Sequence, residues 1–517
     1  MSSFWCARFA FLRLLGLVYL VAFGGMLMDG AGLIGETGLL PADVWMADVL
    51  ADAGGAWEAT KRAPSIFWWT GFSDGLLGAV CGAGVVLSLA MVLGLANLPI
   101  LLTLWGLYFS VVTVGQRWFH FGWESQLLET GLLACTLVPL LDPRPFRSRP
   151  SKVGVVLGWW LVARIMLGAG LIKLRGADCW TELTCLDWHF ETQPIPGPLS
   201  ALFHSLPHPA LAGGVLVNHG VELLAPALIW GPRTLRHVAA AAMVAFQVTL
   251  ILSGNLAFLN WLTLVPLLLL FDDRLVAPKA AEHWEERARR AEDHGEATLS
   301  GWAQRLTPWA IGAYALLVTW LSVPVVVNLF SAEQSMNRSF GVLRIVNTYG
   351  AFGSVGERRF EILVEGTAAE DPGEDDWEEF VFRSKPGPLD RRPPWITPRH
   401  HRLDWLAWFA GLEAARGQGF RREAWVAHLV WKLLEGDDGV RALMAPPCPA
   451  VDGRRRQSHC NPFVEEPPAR VRVRLFEYRF SDGEDWWERD ELGLVLPPMG
   501  LDDPELVGFL RGRGWLK

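Results

Sequence analysis

A chain that crosses a bilayer must satisfy its backbone polar groups internally, so it crosses as helices of about 20 mostly apolar residues. Stretches of this kind recur through the first two thirds of the sequence. They run from Leu14 to Met28, Leu76 to Leu95, Leu98 to Val114, Gln126 to Leu141 and Val153 to Leu171. Four more follow, at Leu211 to Trp230, Val238 to Leu252, Leu256 to Phe271 and Trp309 to Phe330. Residues 1–330 therefore read as an α-helical polytopic membrane bundle of about nine spans. The pair divided at Asn97 and Pro99 also reads as one re-entrant unit. The first stretch, with Arg8 and Arg13 at its front edge, resembles a signal sequence. No small-residue cleavage site follows it, so it is expected to stay as an uncleaved anchor. The composition agrees, being 51% hydrophobic and only 19% charged. A net charge of −8 gives no global basic field, so nucleic acid is not an expected partner.

Basic residues in short connections stay on the cytoplasmic side. With the N-terminus inside, three basic connections fall on that face. One is Asp142 to Lys152, one carries Arg233 and Arg236, and one runs from Asp272 to Arg305. The loop at residues 173–210 and everything after Phe330 then lie on the other face. That tail, residues 331–517, reads as a soluble α+β domain. Phe360 to Thr367 and Trp377 to Ser384 suggest a hairpin around an acidic loop, and Val471 to Phe480 alternates at period two. Two amphipathic helices are expected between them, at Arg402 to Ala415 and Ala424 to Leu434, and Asp437 to Pro468 reads as loop.

The cysteines bear on the same topology. Cys6, Cys81 and Cys135 lie in or beside apolar stretches, whereas Cys179, Cys185, Cys448 and Cys460 fall in segments assigned outside. Disulfides persist in oxidising compartments, so Cys179 with Cys185 and Cys448 with Cys460 are the expected pairs. A redox-active pair is the alternative, but the spacing Cys179-x5-Cys185 is not that of thioredoxin-like catalysts.

Ionisable groups inside spans are functional hypotheses by default. His120 to Gln126 places His120 and Glu124 at the outer mouth of a span. Asn218-His219-x-x-Glu222 puts His219 and Glu222 on one helix face, with Arg164 opposite. The set could act as a proton relay, as an acid/base pair or as a polar lock between helices. No catalytic residue is assigned, and His120, Glu124, His219 and Glu222 form the enzymatic alternative. No metal or cofactor is expected. His219 and Glu222 lack further ligands, His189 and Glu191 sit on a loop without evident partners, and His400 and His401 point to different faces. Phosphate-binding and nucleophile-elbow motifs are absent from the sequence, and no inverted repeat suggests a transporter. In the tail, Asn347, Tyr349 and Phe352, with Trp405 and Trp408, present two readings. They would form an aromatic surface for an unfolded client, or the core of a disulfide-bearing domain.

Several stretches resemble the lipase maturation factors. They are Phe121 to Gly131, Arg164 to Gly176, Cys179-Trp180, Leu183 to Cys185, His189 to Pro194, Ser253 to Thr263, Asn347 to Val355 and His401 to Ala410. The resemblance implies a multi-pass endoplasmic reticulum membrane protein that assists folding and assembly of exported lipases, with its C-terminal domain in the lumen. Its partners would be membrane lipid and a partly folded, lipase-like client. A composition rich in Ala, Gly and Arg points to a bacterial member, whose domain would face the periplasm. The stretch around Phe121 to Ser125 also resembles, distantly, the membrane domain of vitamin K-dependent carboxylase. That keeps open an integral-membrane enzyme, carboxylase-like or a thiol/quinone oxidoreductase.

Overall fold

A computed structural model describes residues 3–293, 301–448, 459–463 and 466–516. All nine apolar stretches fold into helices: α1 Trp5–Ile34, α2 Asp74–Val92, α3 Leu98–Val114, α4 Gly122–Ala134, α5 Lys152–Arg175, α6 His208–Leu228, α7 Arg233–Ser253, α8 Leu259–Leu270 and α9 Gly301–Phe330. Six of them, α1, α2, α5, α6, α7 and α9, are long and apolar enough to cross a membrane, and α3 and α8 are shorter. The expected count of nine is thus reached by length at six only. The reason is visible in α4, where every one of the 13 residues but Leu132 is buried against the rest of the protein. A helix that meets protein rather than lipid needs neither full span length nor an apolar surface.

Local chemistry sets the helix starts. Ser73, Asn97 and Ser151 each accept a hydrogen bond from a backbone N–H three residues on, at 3.2, 3.0 and 3.2 Å, opening α2, α3 and α5. Asn97 also donates to the Leu141 carbonyl at 2.7 Å, so α2 and α3 are separate helices joined by a capped turn.

Contacts sort the connections into two ends of the bundle. At one end, Trp5 N and Cys6 N donate to Asp273, and Ala96 N donates to the Pro143 carbonyl. There Arg149 pairs with Glu285, and Arg233 and Arg236 pair with Asp272. The three basic connections therefore gather together. At the opposite end lie the Cys179–Cys185 disulfide and the C-terminal domain. A second disulfide joins Cys448 to Cys460.

The C-terminal domain is a four-stranded antiparallel sheet with order β2-β1-β3-β4, formed by β1 Arg359–Thr367, β2 Glu378–Phe380, β3 Arg470–Phe480 and β4 Trp487–Met499. Helices α10 Arg402–Ala415 and α11 Trp425–Glu435 cover it, and Ile362, Val364, Leu403, Leu406, Leu429, Leu433, Val471 and Val473 fill the space between. Strand β4 escapes a reading from sequence because it is an edge with a mostly exposed, charged first half. Register shifts against β3 further blur its alternation.

One close approach joins the two parts. The chain from Tyr349 to Gly353 runs along α5 over Gly168, Ile172 and Gly176, which share a helix face at spacing four. A Cβ on Gly168 would lie 2.2 Å from the Tyr349 carbonyl oxygen, and one on Gly176 1.7 Å from that of Gly353. Gly168→Ala should therefore cost about 1–3 kcal/mol through overpacking. Gly106→Ala, with open space around it, should be neutral. Thermal unfolding in detergent checks this, and equal midpoints for the two variants would refute the close approach.

Candidate functional site

Four centres of buried charge stand out among the described residues, three of them bridging the bundle and the tail. The first is at Glu129 on α4. Arg164 on α5 donates to it, as do Asn347 N at 3.1 Å, Asn347 Nδ2 at 3.0 Å and the Tyr349 hydroxyl at 2.6 Å. Arg164 Nη1 closes the loop on the Asn347 carbonyl at 3.0 Å. The second centre is Glu124, one and a half turns earlier on α4. It accepts from the Tyr108 hydroxyl and from Arg402 Nη1 at 2.7 Å, and Arg402 also donates to the Trp118 carbonyl. Residues five apart on a helix project about 140° apart, so each glutamate takes its own partners.

The third centre is Arg359, which donates to the carbonyls of Glu191, Gln193 and Pro194 at 2.8, 2.5 and 2.9 Å. It shares Glu361 with Lys385, and all three side chains are buried. Neighbouring contacts strengthen the join. Asn255 accepts from Ile396 N and Thr397 N, Asp29 pairs with Arg383 and Arg399, and Arg117 pairs with Glu423. The fourth centre lies within the bundle: Lys173 Nζ donates to both oxygens of Glu222 at 2.6 Å and to Asn218 Oδ1 at 3.2 Å.

The four residues of the enzymatic alternative are not brought together. Glu124 and Glu222 belong to separate centres, His120 is exposed, and His219 meets the Trp180 carbonyl through Nε2 at 3.0 Å. Arg164 faces Glu129 and none of them. Glu191, expected to lack partners, accepts from Phe480 N at 2.6 Å, and burial raises its carboxyl pKa. His400 stands between the rings of Phe121, Trp123 and Trp405, and burial lowers its pKa, whereas His401 meets Ser384. Among the described residues, no three His, Cys, Asp or Glu side chains converge as a metal site.

Asn347, Tyr349 and Trp405 lie in the interior, at 0%, 4% and 5% exposure. Phe352 packs its ring against His189, and Trp408 Nε1 donates to the Thr192 carbonyl at 3.0 Å. Their side chains tie the tail to the bundle and do not form a free aromatic face. Glu129, Lys173, Asn255 and Arg402 lie in stretches that carry the family resemblance but have no individual role in the sequence reading, and Arg359 lies outside them. Glu129 and Lys173 each carried the signal of a charge inside an apolar stretch, which demands a partner.

These features define a class: a multi-pass helical membrane protein whose globular domain is fixed to one end of the bundle by buried charges. A family model described as the lipase maturation factor transmembrane domain matches residues 6–278, and one described as the lipase maturation factor C-terminal domain matches residues 345–497. Lipase maturation factor 1 of Bos taurus is 41% identical, covering 99% of this chain and 92% of the relative. The Mus musculus protein of that name is 40% identical over 99% and 90%. Lipase maturation factor 2 of Mus musculus is 28% identical over 98% and 84%. No solved structure matches. The chain belongs to the lipase maturation factor family.

Proposed function

We propose that the chain is a membrane-bound maturation factor that assists folding or assembly of exported lipases. The observation that carries this is the relationship to lipase maturation factor 1 at 41% identity along almost the whole of both chains. In this reading residues 1–330 cross the membrane nine times, counting the shorter helices α3, α4 and α8. The basic connections then stay cytoplasmic, in keeping with the retention of Lys- and Arg-rich loops. Residues 331–517 and the Cys179–Cys185 loop face the endoplasmic reticulum lumen, or the periplasm in a cell without one. Both disulfides suit that oxidising side.

Client contact falls to surface outside the buried centres, while Asn347, Tyr349, Phe352, Trp405 and Trp408 hold the domain in place. Strand β4 is the edge of the sheet, and Leu492 and Leu494 on it are 44% and 53% exposed. The apolar part of this edge strand, from Leu492 to Leu496, offers unpaired backbone groups to an extended segment of a partly folded chain. Co-expression with a secreted lipase in cells lacking a maturation factor should raise secreted lipase activity several-fold. Leu494→Arg should remove most of that gain while leaving thermal unfolding unchanged. Unchanged lipase activity beside a membrane-inserted, folded chain would defeat the proposal.

A further inference from the structure

A cavity of about 430 Å³ opens between α6, α7 and the short helix Cys185–Thr192, within the size range of small-molecule sites. Its walls are mainly apolar. On α7, Ala242, Ala245 and Thr249 line it and are exposed, as is Val217 on α6, so it opens sideways where a helix surface meets lipid. Its ionisable groups are Lys173, Glu222 and His189, with Asn218 between the first two, and the remaining polar lining is Thr249, Ser253 and Asn260. Helix α6 widens around Glu222 to an i+5 turn at Gly220–Leu224, an irregularity that recurs at functional sites.

The charges of Lys173 and Glu222 are already matched. The Lys173 ammonium has three donors, and Glu222 Oε1, Glu222 Oε2 and Asn218 Oδ1 accept from it, while Asn218 Nδ2 donates back to Glu222 at 3.0 Å. No net charge is left to attract an ionic headgroup. His189 differs. It is 5% exposed and lines the cavity, and among the described residues no side-chain hydrogen bond reaches its ring nitrogens, which are left open toward the cavity. Its ring is held edge-on by Phe352 at 4.7 Å and Phe190 at 5.4 Å. Burial, helped by the charge of Lys173, pushes its pKa down to about 4, so the neutral ring offers one donor and one acceptor. A buried polar group without a partner is costly unless something completes it.

We propose that this cavity holds one neutral, hydroxyl-headed, single-tailed lipid drawn sideways from the bilayer, its head hydrogen-bonded to His189 and its tail between α6 and α7. A monoacylglycerol has this chemistry. A fatty acid or lysophospholipid would bring an uncompensated or zwitterionic charge to a site already balanced, and the volume has room for one tail. The inference does not depend on which client the protein serves.

The test uses the full chain in nanodiscs and a monoacylglycerol probe with a photoreactive group in its tail. Labelling should concentrate on peptides containing residues 186–190 and 242–250. Unlabelled monooleoylglycerol should compete at least tenfold better than oleate or lysophosphatidylcholine. Ala245→Trp, which fills the cavity, should cut labelling about tenfold, and Ala242→Phe repeats that test if the first variant fails to fold. His189→Phe keeps the ring packing and should abolish the preference among headgroups. Diffuse labelling of every lipid-facing helix, equal competition by the charged amphiphiles, or undiminished labelling in a folded, filled variant would each overturn the proposal. Competition by a lipase polypeptide but not by monooleoylglycerol would overturn it too, assigning the cavity to the client.

Discussion

Glu129→Ala is expected to be among the most destructive single substitutions in the bundle, costing about 3–5 kcal/mol. The carboxylate stands at the meeting point of α4, α5 and the first segment of the tail. Its removal strands Arg164, only 2% exposed, without a counter-ion, and leaves Asn347 N and the Tyr349 hydroxyl with no acceptor. A buried charge without a partner costs more than the pair contributes when intact, which sets the size of the effect. Glu129→Gln should fall between, because the amide oxygen still accepts while the ion pair is gone. Because the same carboxylate anchors Asn347, the tail should loosen along with the bundle. Limited proteolysis between Phe330 and Arg359 should then quicken in step with the fall in unfolding midpoint. A Glu129→Ala chain with native midpoint and native protease resistance would show that the centre does not hold the domain in place.

Much of the architecture was legible in the sequence because membrane helices advertise themselves by length. Each of the nine stretches is helical, and α10 begins and ends at the expected residues Arg402 and Ala415. The acidic hairpin of β1 and β2 and strand β3 were legible through alternation. What was not legible depends on partners far apart in the chain. Glu124 and Arg402 are 278 residues apart, and Glu129 and Asn347 are separated by 218. Periodicity reports which face of a helix is polar but not which distant element will answer it. His120 beside Glu124, and His219 beside Glu222, left an acid/base pair and a polar lock both open, because each pair is close in sequence. In the fold each carboxylate turns toward a cation on another element. Tyr349 and Phe352 were ambiguous for a similar reason. An aromatic next to glycine suits an exposed turn, yet here Gly168 and Gly176 let that turn sink against α5.

The Lys173–Glu222 pair separates architecture from chemistry. Both side chains are 5% exposed, so Lys173→Met alone, or Glu222→Leu alone, leaves one buried charge and should cost about 3–5 kcal/mol. Removing both charges together should restore most of that loss, since apolar replacements of similar volume often match or exceed a buried ion pair. The recovery should stop short of parental stability. Asn218 donates to Glu222 and accepts from Lys173, and the double variant leaves its buried amide unpaired at about 1–3 kcal/mol. Adding Asn218→Leu to Lys173→Met and Glu222→Leu should then bring the midpoint close to the parent. Chemical unfolding of the parent, the two single variants, the double and the triple variant measures this ladder. If the centre is a lock between α5 and α6, the triple variant, folded and inserted, should also mature a co-expressed lipase at near-parental yield. Loss of lipase maturation in a triple variant with a native midpoint would mean that Lys173 or Glu222 performs work on a bound molecule, and the reading of these charges as architecture would fail.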